Sequence, residues 1–225
     1  MPNTTGKPWP AVVDARVPTS LPVVSVLDIS ALSEWEQIHL EGPGAGPIPE
    51  ELAITECLLR EVSLSALALN YARIRDVVFE QCDLSAVRLH DAVLTRVEFR
   101  NCRLSGVQMP MAGLRDVQFF DCKMDGANFR MSTLDRVRFR SCMLPAADFH
   151  ASKFSMVAMF DCELTGADFS KAAARGTRLH GSVVDGLKGA DALVGAVIDS
   201  TQVIPFALAL VAALRLEIND DRQDN

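Results

Sequence analysis

The sequence predicts an all-β solenoid with four sides to each coil. Three observations predict it. The first is a period of five. Every fifth residue from Ile54 to Val184 is apolar, through twenty-seven positions, and only Ala174 among them is small. With 49% hydrophobic residues overall, chance gives such a run about once in 10⁸ registers. Eight of the 11 phenylalanines fall in this register. The second is a companion series two residues earlier: Cys57, Val62, Leu67, Ala72, Val77 and onward to Ser182. It is apolar except at Ser132, Ser152, Thr177 and Ser182. The third is a period of twenty inside the first. Cys82, Cys102, Cys122, Cys142 and Cys162 form one ladder, and Phe79, Phe99, Phe119 and Phe139 form another.

Helix needs apolar spacings of three and four, and a plain strand alternates without resetting. Two inward positions two apart, followed by a turn, make a short β-bridge and a corner. Stacked corners make a solenoid with a continuous interior. Four units make one coil, so residues twenty apart are stacked neighbours at about 4.8 Å. Residues 57–186 hold 26 units, or six and a half coils, a rod of roughly 30 Å at strand spacing.

The units Cys82-Asp83-Leu84, Ala127-Asn128-Phe129, Ala147-Asp148-Phe149 and Ala167-Asp168-Phe169 resemble those of the pentapeptide-repeat proteins. Their unit is a small residue, Asp or Asn, Leu or Phe, then two variable residues. The resemblance covers about residues 52–186. It implies a right-handed quadrilateral β-helix of six to seven coils, and a binding protein rather than an enzyme. Arg88, Glu98, Arg103, Lys123 and Arg138 depart from the second position, and Pro110 and Pro145 sit just after a core residue, where a missing N–H is tolerated at a corner.

The ends differ from the rod. Residues 1–50 hold eight of the 11 prolines, and 41–47 reads as a linker. This segment is expected to cap the first coil, whose outward Leu58 and Val78 are apolar, because a bare solenoid end is an aggregation template. Within it, Ala31–Leu40 reads either as a short helix or as an irregular first coil. The β-helix is expected over 51–189 and a C-terminal helical region over 190–218. Asp199 and Ser200 supply a cap signal before an apolar helix over Val203–Leu216, about fifteen residues. That helix reads as either a dimer contact through Val203, Phe206, Ala207, Leu210 and Leu214, or a plain cap on the last coil. Residues 219–225 read as a disordered tail.

The six cysteines read as reduced core thiols, since five occupy one inward ladder and behave as small hydrophobes. No Cys-x-x-Cys pair and no histidine at ligand spacing points to zinc. No nucleophile–base set, glycine-rich phosphate loop or carboxylate pair stands out. No metal, cofactor or catalytic site is therefore expected. The N-terminus lacks the layout of a signal peptide and no apolar run reaches about 18 residues, so a cytoplasmic protein without a membrane span is expected.

The net charge is −7, which argues against a nucleic-acid coat protein. It is unevenly placed. Residues 1–56 hold 2 basic and 8 acidic groups, residues 57–186 hold 17 and 15, and residues 187–225 hold 3 and 6. One side of the rod carries Arg73, Arg75, Arg96, Arg115, Arg136, Lys153 and Arg175 against Asp76, Asp116 and Asp135. It reads either as a solvated ladder of ion pairs or as a partner face. Met111 and Met131, with Tyr71 on their ladder, and Phe120 and Phe160 on another, mark either a protein contact or the path of the N-terminal segment.

The family resemblance implies a more specific partner. Some pentapeptide-repeat proteins bind DNA gyrase as mimics of duplex DNA and confer resistance to topoisomerase inhibitors. Some use a C-terminal helix to form homodimers. A near-neutral rod with acid at its ends fits an acidic mimic less well than it fits a scaffold for an unrelated cytoplasmic protein. Phe119→Asp is expected to cost more than about 4 kcal/mol by burying a charge in the phenylalanine ladder. Urea unfolding followed by circular dichroism checks it; a mutant that unfolds cooperatively near the wild-type midpoint overturns the register.

Overall fold

Each five-residue unit has room for one three-residue strand and one turn. In the computed structural model, which describes residues 11–42, 48–217 and 219, the units stack as a parallel β-solenoid of about seven turns closed by a short C-terminal helix. The first elements are β1 (Val23–Ser25), a single helical turn α1 (Val26–Ile29), β2 (Glu34–Glu36), β3 (His39–Glu41), β4 (Ala53–Thr55) and β5 (Leu58–Arg60). Three eight-residue strands follow, β6 (Arg73–Glu80), β7 (Val93–Arg100) and β8 (Gly113–Phe120), each carrying two sides and the corner between them. Short strands resume with β9 (Thr133–Asp135), β10 (Arg138–Arg140), β11 (Lys153–Ser155) and β12 (Ala158–Phe160). The other two sides are held by single parallel bridges, such as Asp83↔Arg103↔Lys123 and Arg88↔Gln108↔Asn128.

The twenty-residue register holds through the body of the rod. Phe79, Phe99, Phe119, Phe139 and Met159 are successive strand partners. The first four rings stack face to face with centroids 4.9, 4.8 and 4.7 Å apart. A second stack, Phe129–Phe149–Phe169, meets the first edge-on, with Phe119 and Phe129 at 80°. Offset and edge contacts of this kind add about 0.5–1.5 kcal/mol per pair beyond burial. Every residue of the five-residue register is buried except Phe154, which is partly exposed. Its neighbour one coil on is Ala174, too small to cover the ring. The polar exceptions in the companion series are satisfied: Ser132, Ser152 and Thr177 donate to the carbonyls of Phe129, Phe149 and Ala174, and Ser182 to that of Met159.

The corners carry the conformational cost. Residues whose numbers end in 1 or 6 repeatedly take the left-handed region, among them Gln81, Asn101, Asp121, Ser141 and Asp161 with φ of 52–54°. A non-glycine residue there is strained by about 1–2 kcal/mol. Each of these five returns a hydrogen bond from its N–H to a carbonyl one coil on, at 2.9–3.0 Å. The turn that strains the residue also aims its donor along the rod axis.

At the N-terminal end, parallel pairing begins before residue 51. Trp35 pairs with Ile54, Leu40 with Leu59, and Val24 with Leu40. Ala31–Leu40 is thus the irregular coil of the two alternatives, with β2 and β3 as two of its sides. Its register step is nineteen because one residue fewer separates the stacked positions. Trp35 is fully buried and donates from Nε1 to the Ile29 carbonyl at 3.1 Å. The expected linker lies, for 43–47, outside the described residues, as does the expected tail apart from Asn219.

At the C-terminal end, Gln202 donates to the carbonyls of Leu179 at 2.6 Å and Ser182 at 2.5 Å, capping carbonyls that have no further coil to meet. Asp199 and Gln202 form a reciprocal capping box on a 3₁₀ turn. The helix α2 (Val203–Ala213) has 11 residues, fewer than expected. Arg215 adopts φ 54°, and its N–H and that of Leu216 bond back to Ala212 and Val211, which ends the helix in a Schellman-type turn without glycine.

Two glycines separate strain from space. A Cβ on Gly106 meets nothing within 4 Å, whereas one on Gly189 comes within 2.3 Å of the Ser170 backbone nitrogen. Gly106→Ala is expected to cost about 1 kcal/mol, like the alanines already at other corners. Gly189→Ala is expected to cost at least about 2 kcal/mol more, since backbone must move. Comparison of urea midpoints checks this; equal midpoints would sink it.

Candidate protein-interaction surface

A strand pattern fixes the inside of a solenoid and leaves the outside free to vary. Three outer features and one inner ladder stand out here. The first is a strap. Residues 12–16 run extended across β6, β7 and β8, along the corner those strands share. The Val13 N–H donates to Asp116 Oδ1 at 3.2 Å, the Ala15 N–H to Glu98 Oε1 at 3.1 Å and the Arg16 N–H to Asp76 Oδ1 at 3.1 Å. In return Gln118 donates to Asp14 Oδ1 at 2.8 Å. Val12 is the strap's one buried side chain.

The carboxylates under the strap are outward-facing by register yet only 3–5% exposed. Arginines compensate them. Arg96 grips Asp76 with two bonds of 2.6 Å, and Arg136 grips Asp116 with two of 2.7 Å. Arg100 holds Glu98. The corner ladder therefore alternates Asp76, Arg96, Asp116, Arg136. Burial raises the Asp76 pKa, but the Arg96 guanidinium and the Arg16 N–H together outweigh it, and the carboxyl lies below its ordinary value. At Asp116 the Arg136 hydrogen bonds lead, and the Val13 N–H assists against burial, with the same net direction.

These contacts divide the expected partner residues. Arg96 and Arg136 are committed to buried carboxylates and do not form a free basic face. Arg115 stays exposed, 3.4 Å from Asp135. The strap does not lie over the methionines. Tyr71, Met111 and Met131 remain 56%, 48% and 53% exposed, with Val93 beside them. This apolar edge is the second feature. It sits on the opposite flank of the arginine side from the strap. Phe120 and Phe160 are half-buried; Phe120 lines a groove of about 550 Å³ with Asp14, Ala15, Glu98, Arg100 and Gln118, and Phe160 packs near the His180 ring at 6.0 Å.

The third feature is α2. Phe206 and Leu210, expected on a dimer face, turn instead onto the chain's own core, because the last coil needs apolar cover. Val203, Ala207 and Leu214 are exposed, together with Ile204 and Leu208. The fourth is the cysteine ladder. All five thiols are buried and free. Those of Cys102, Cys122 and Cys142 donate to the carbonyls of Phe79, Phe99 and Phe119, one coil back. Burial pushes the Cys57 thiol up. Among the described residues no three His, Cys, Asp or Glu side chains are grouped to hold a metal ion, and no helix is long and apolar enough to cross a membrane.

The strap was not legible in the sequence, because its anchors are main-chain donors. A signal for its landing site does exist: opposite charges alternate at a spacing of twenty through Asp76, Arg96, Asp116 and Arg136.

A family model described as a pentapeptide repeat region matches residues 52–108 and 92–169. No curated protein matches in sequence. Among solved structures, a trypsin-treated variant of QnrB1, a plasmid-mediated fluoroquinolone resistance protein, is 18% identical. The match covers 88% of this chain and 98% of QnrB1, with a TM-score of 0.44. HetL, a pentapeptide repeat protein involved in heterocyst differentiation regulation, from Nostoc sp. strain PCC 7120, is 17% identical over 73% of this chain and 84% of its own, with a TM-score of 0.34. Rfr23, a pentapeptide repeat protein from Cyanothece 51142, is 16% identical over 52% and 63%, with a TM-score of 0.18.

The lowered carboxyls of Asp76 and Asp116 fix the acid behaviour of the strap. Their stabilisation is complete above the ordinary Asp value of about 3.9 and is lost as pH falls through the lowered folded values. Amide hydrogen exchange is expected to show Val13 and Arg16, which donate to Asp116 and Asp76, protected from pH 7 to about pH 4, with protection fading only below that. Loss of protection between pH 7 and pH 5 would contradict it.

Proposed function

We propose that this chain, which belongs to the pentapeptide-repeat family, works as a non-enzymatic rod that holds a protein partner. The Tyr71–Met111–Met131 edge carries this reading. Met111 and Met131 lie on adjacent coils of one corner, with Tyr71 beyond Asp91 on the same ladder, and all three are about half exposed. Flexible thioethers and an amphipathic ring suit an adaptable protein contact. On the side next to it Arg96 and Arg136 are held by Asp76 and Asp116 and are not free to meet phosphates, which favours a protein surface over nucleic acid. A cytoplasmic setting suits six reduced cysteines.

A second reading is that the partner is DNA gyrase or another type II topoisomerase, the protein acting as a DNA mimic in topoisomerase-inhibitor resistance. What favours it is the excess of acid at both chain ends, 8 acidic against 2 basic groups in residues 1–56 and 6 against 3 in residues 187–225. It is also favoured by the exposed apolar face of α2, through which two copies would join as a homodimer and bring their C-terminal acid together. The near-balance of charge along the rod favours the scaffold reading over this one.

A gyrase supercoiling titration with and without a fluoroquinolone tests both. Inhibition or drug protection at micromolar protein, weakening with salt, supports the topoisomerase reading. Its loss, by tenfold or more, in Met111→Asp/Met131→Asp places the apolar edge at the contact. No effect of the folded wild-type protein across that range removes the topoisomerase reading and leaves a different protein partner.

A further inference from the structure

The strap is held by its backbone rather than by its side chains. Three main-chain N–H groups, at Val13, Ala15 and Arg16, meet carboxylates on three successive coils. The match is geometric. Extended chain advances about 3.3 Å per residue, so the three steps from residue 13 to 16 span about 10 Å, and two coil steps of about 4.8 Å span the same distance. The length of the strap therefore matches the span of the three carboxylates. The carboxylates are fixed in advance by Arg96, Arg100 and Arg136: Glu98 keeps Oε1 for the strap while Arg100 takes Oε2, and Asp76 Oδ1 and Asp116 Oδ1 each accept from the strap and from the arginine Nε together.

The attachment is also light. Val12 is the only strap side chain that is buried, and the polar contacts are those four. Beyond the strap the chain leaves through Pro18 and Pro22 toward β1, so residues 12–16 form no part of the rod's own hydrogen-bonded sides. A groove of about 550 Å³ opens beside Ala15, where a larger side chain has room. Its lining combines the Phe120 ring with the Arg100 and Gln118 side chains.

We infer that the Asp76–Glu98–Asp116 ladder with Gln118 is a binding site for an extended polypeptide segment, occupied in this structure by the chain's own residues 12–16. The ligand class is an unstructured peptide with free main-chain N–H groups. It carries an apolar residue at the Val12 position and a hydrogen-bond acceptor at the Asp14 position, to meet Gln118. Recognition by main-chain donors resembles strand addition in its logic, with side-chain carboxylates in place of a strand edge. The site lies apart from the Tyr71–Met131 edge and does not depend on the partner proposed there.

The test uses the full chain and a fluorescein-labelled peptide of its own residues 11–18, read by fluorescence anisotropy. The wild type is expected to bind weakly, because its own strap competes at high local concentration. Val13→Pro/Ala15→Pro removes two strap donors and is expected to tighten peptide binding at least tenfold. Adding Asp76→Asn and Asp116→Asn to that chain is expected to reverse the gain. Asp14→Ala, which alters no residue of the rod, is expected to tighten binding in the same direction as the proline variant. A peptide N-methylated at the nitrogen corresponding to Ala15 is expected to lose at least tenfold on the released chain. Equal binding by wild type and both released variants overturns the occupancy by the strap. Equal binding of the N-methylated and plain peptides, or binding that survives loss of the two carboxylates, overturns the ladder as the site.

Discussion

The structure depends on identical side chains meeting themselves one coil apart. Stacking at strand spacing makes each interior position its own neighbour's packing partner, so Phe79, Phe99 and Phe119 lie flat on one another, and cysteine sits on cysteine in the next column. The hydrophobic gain is about 1.5–3 kcal/mol for each such ring. It recurs in every coil and is set against corner strain at four residues per turn. Where the column is interrupted, exposure follows: Ala174 above Phe154 leaves that ring partly open. Both ends need special closure for the same reason, with Trp35 at one and Gln202 at the other supplying what a further coil would have supplied.

Most of this interior was legible. A five-residue apolar register and a twenty-residue ladder specify stacking directly, because the side chain at each inward position has no alternative environment. The ends were less legible. The first coil keeps the pattern in Trp35 and Leu40 but at a step of nineteen to Ile54 and Leu59, which hides it from a strict repeat. The end of α2 was misplaced by about one turn, because Arg215 terminates it in a conformation usually left to glycine. The strap left almost no trace. Val13, Ala15 and Arg16 contribute donors that every residue but proline possesses, so residue identity carries no record of their role.

Outward residues raise a different issue. Arginines counted by side gave a basic face, but charge on a rod is not free charge. Two of those arginines are consumed by carboxylates that the same side supplies, so fewer cations are free than the count suggests, although the side keeps a net positive charge. The apolar edge at Tyr71, Met111 and Met131 has no such internal partner, and this is why it carries the functional reading. The inner repeat does not call for large apolar residues at those corners, so their exposure is a property of the surface rather than a demand of the fold.

The strap also changes how the rod comes apart. A solenoid bonded only between adjacent coils behaves as a one-dimensional chain, in which disorder enters at an end and advances coil by coil. Residues 12–16 break that rule by touching β6, β7 and β8 at once. Those three coils are tied into a single cooperative block at the N-terminal half, while the coils beyond β8 keep only nearest-neighbour coupling. The molecule is therefore uneven in its fraying: β1–β5 at one end and the coils beyond β8 at the other loosen inward, and the strapped block is the last segment to yield.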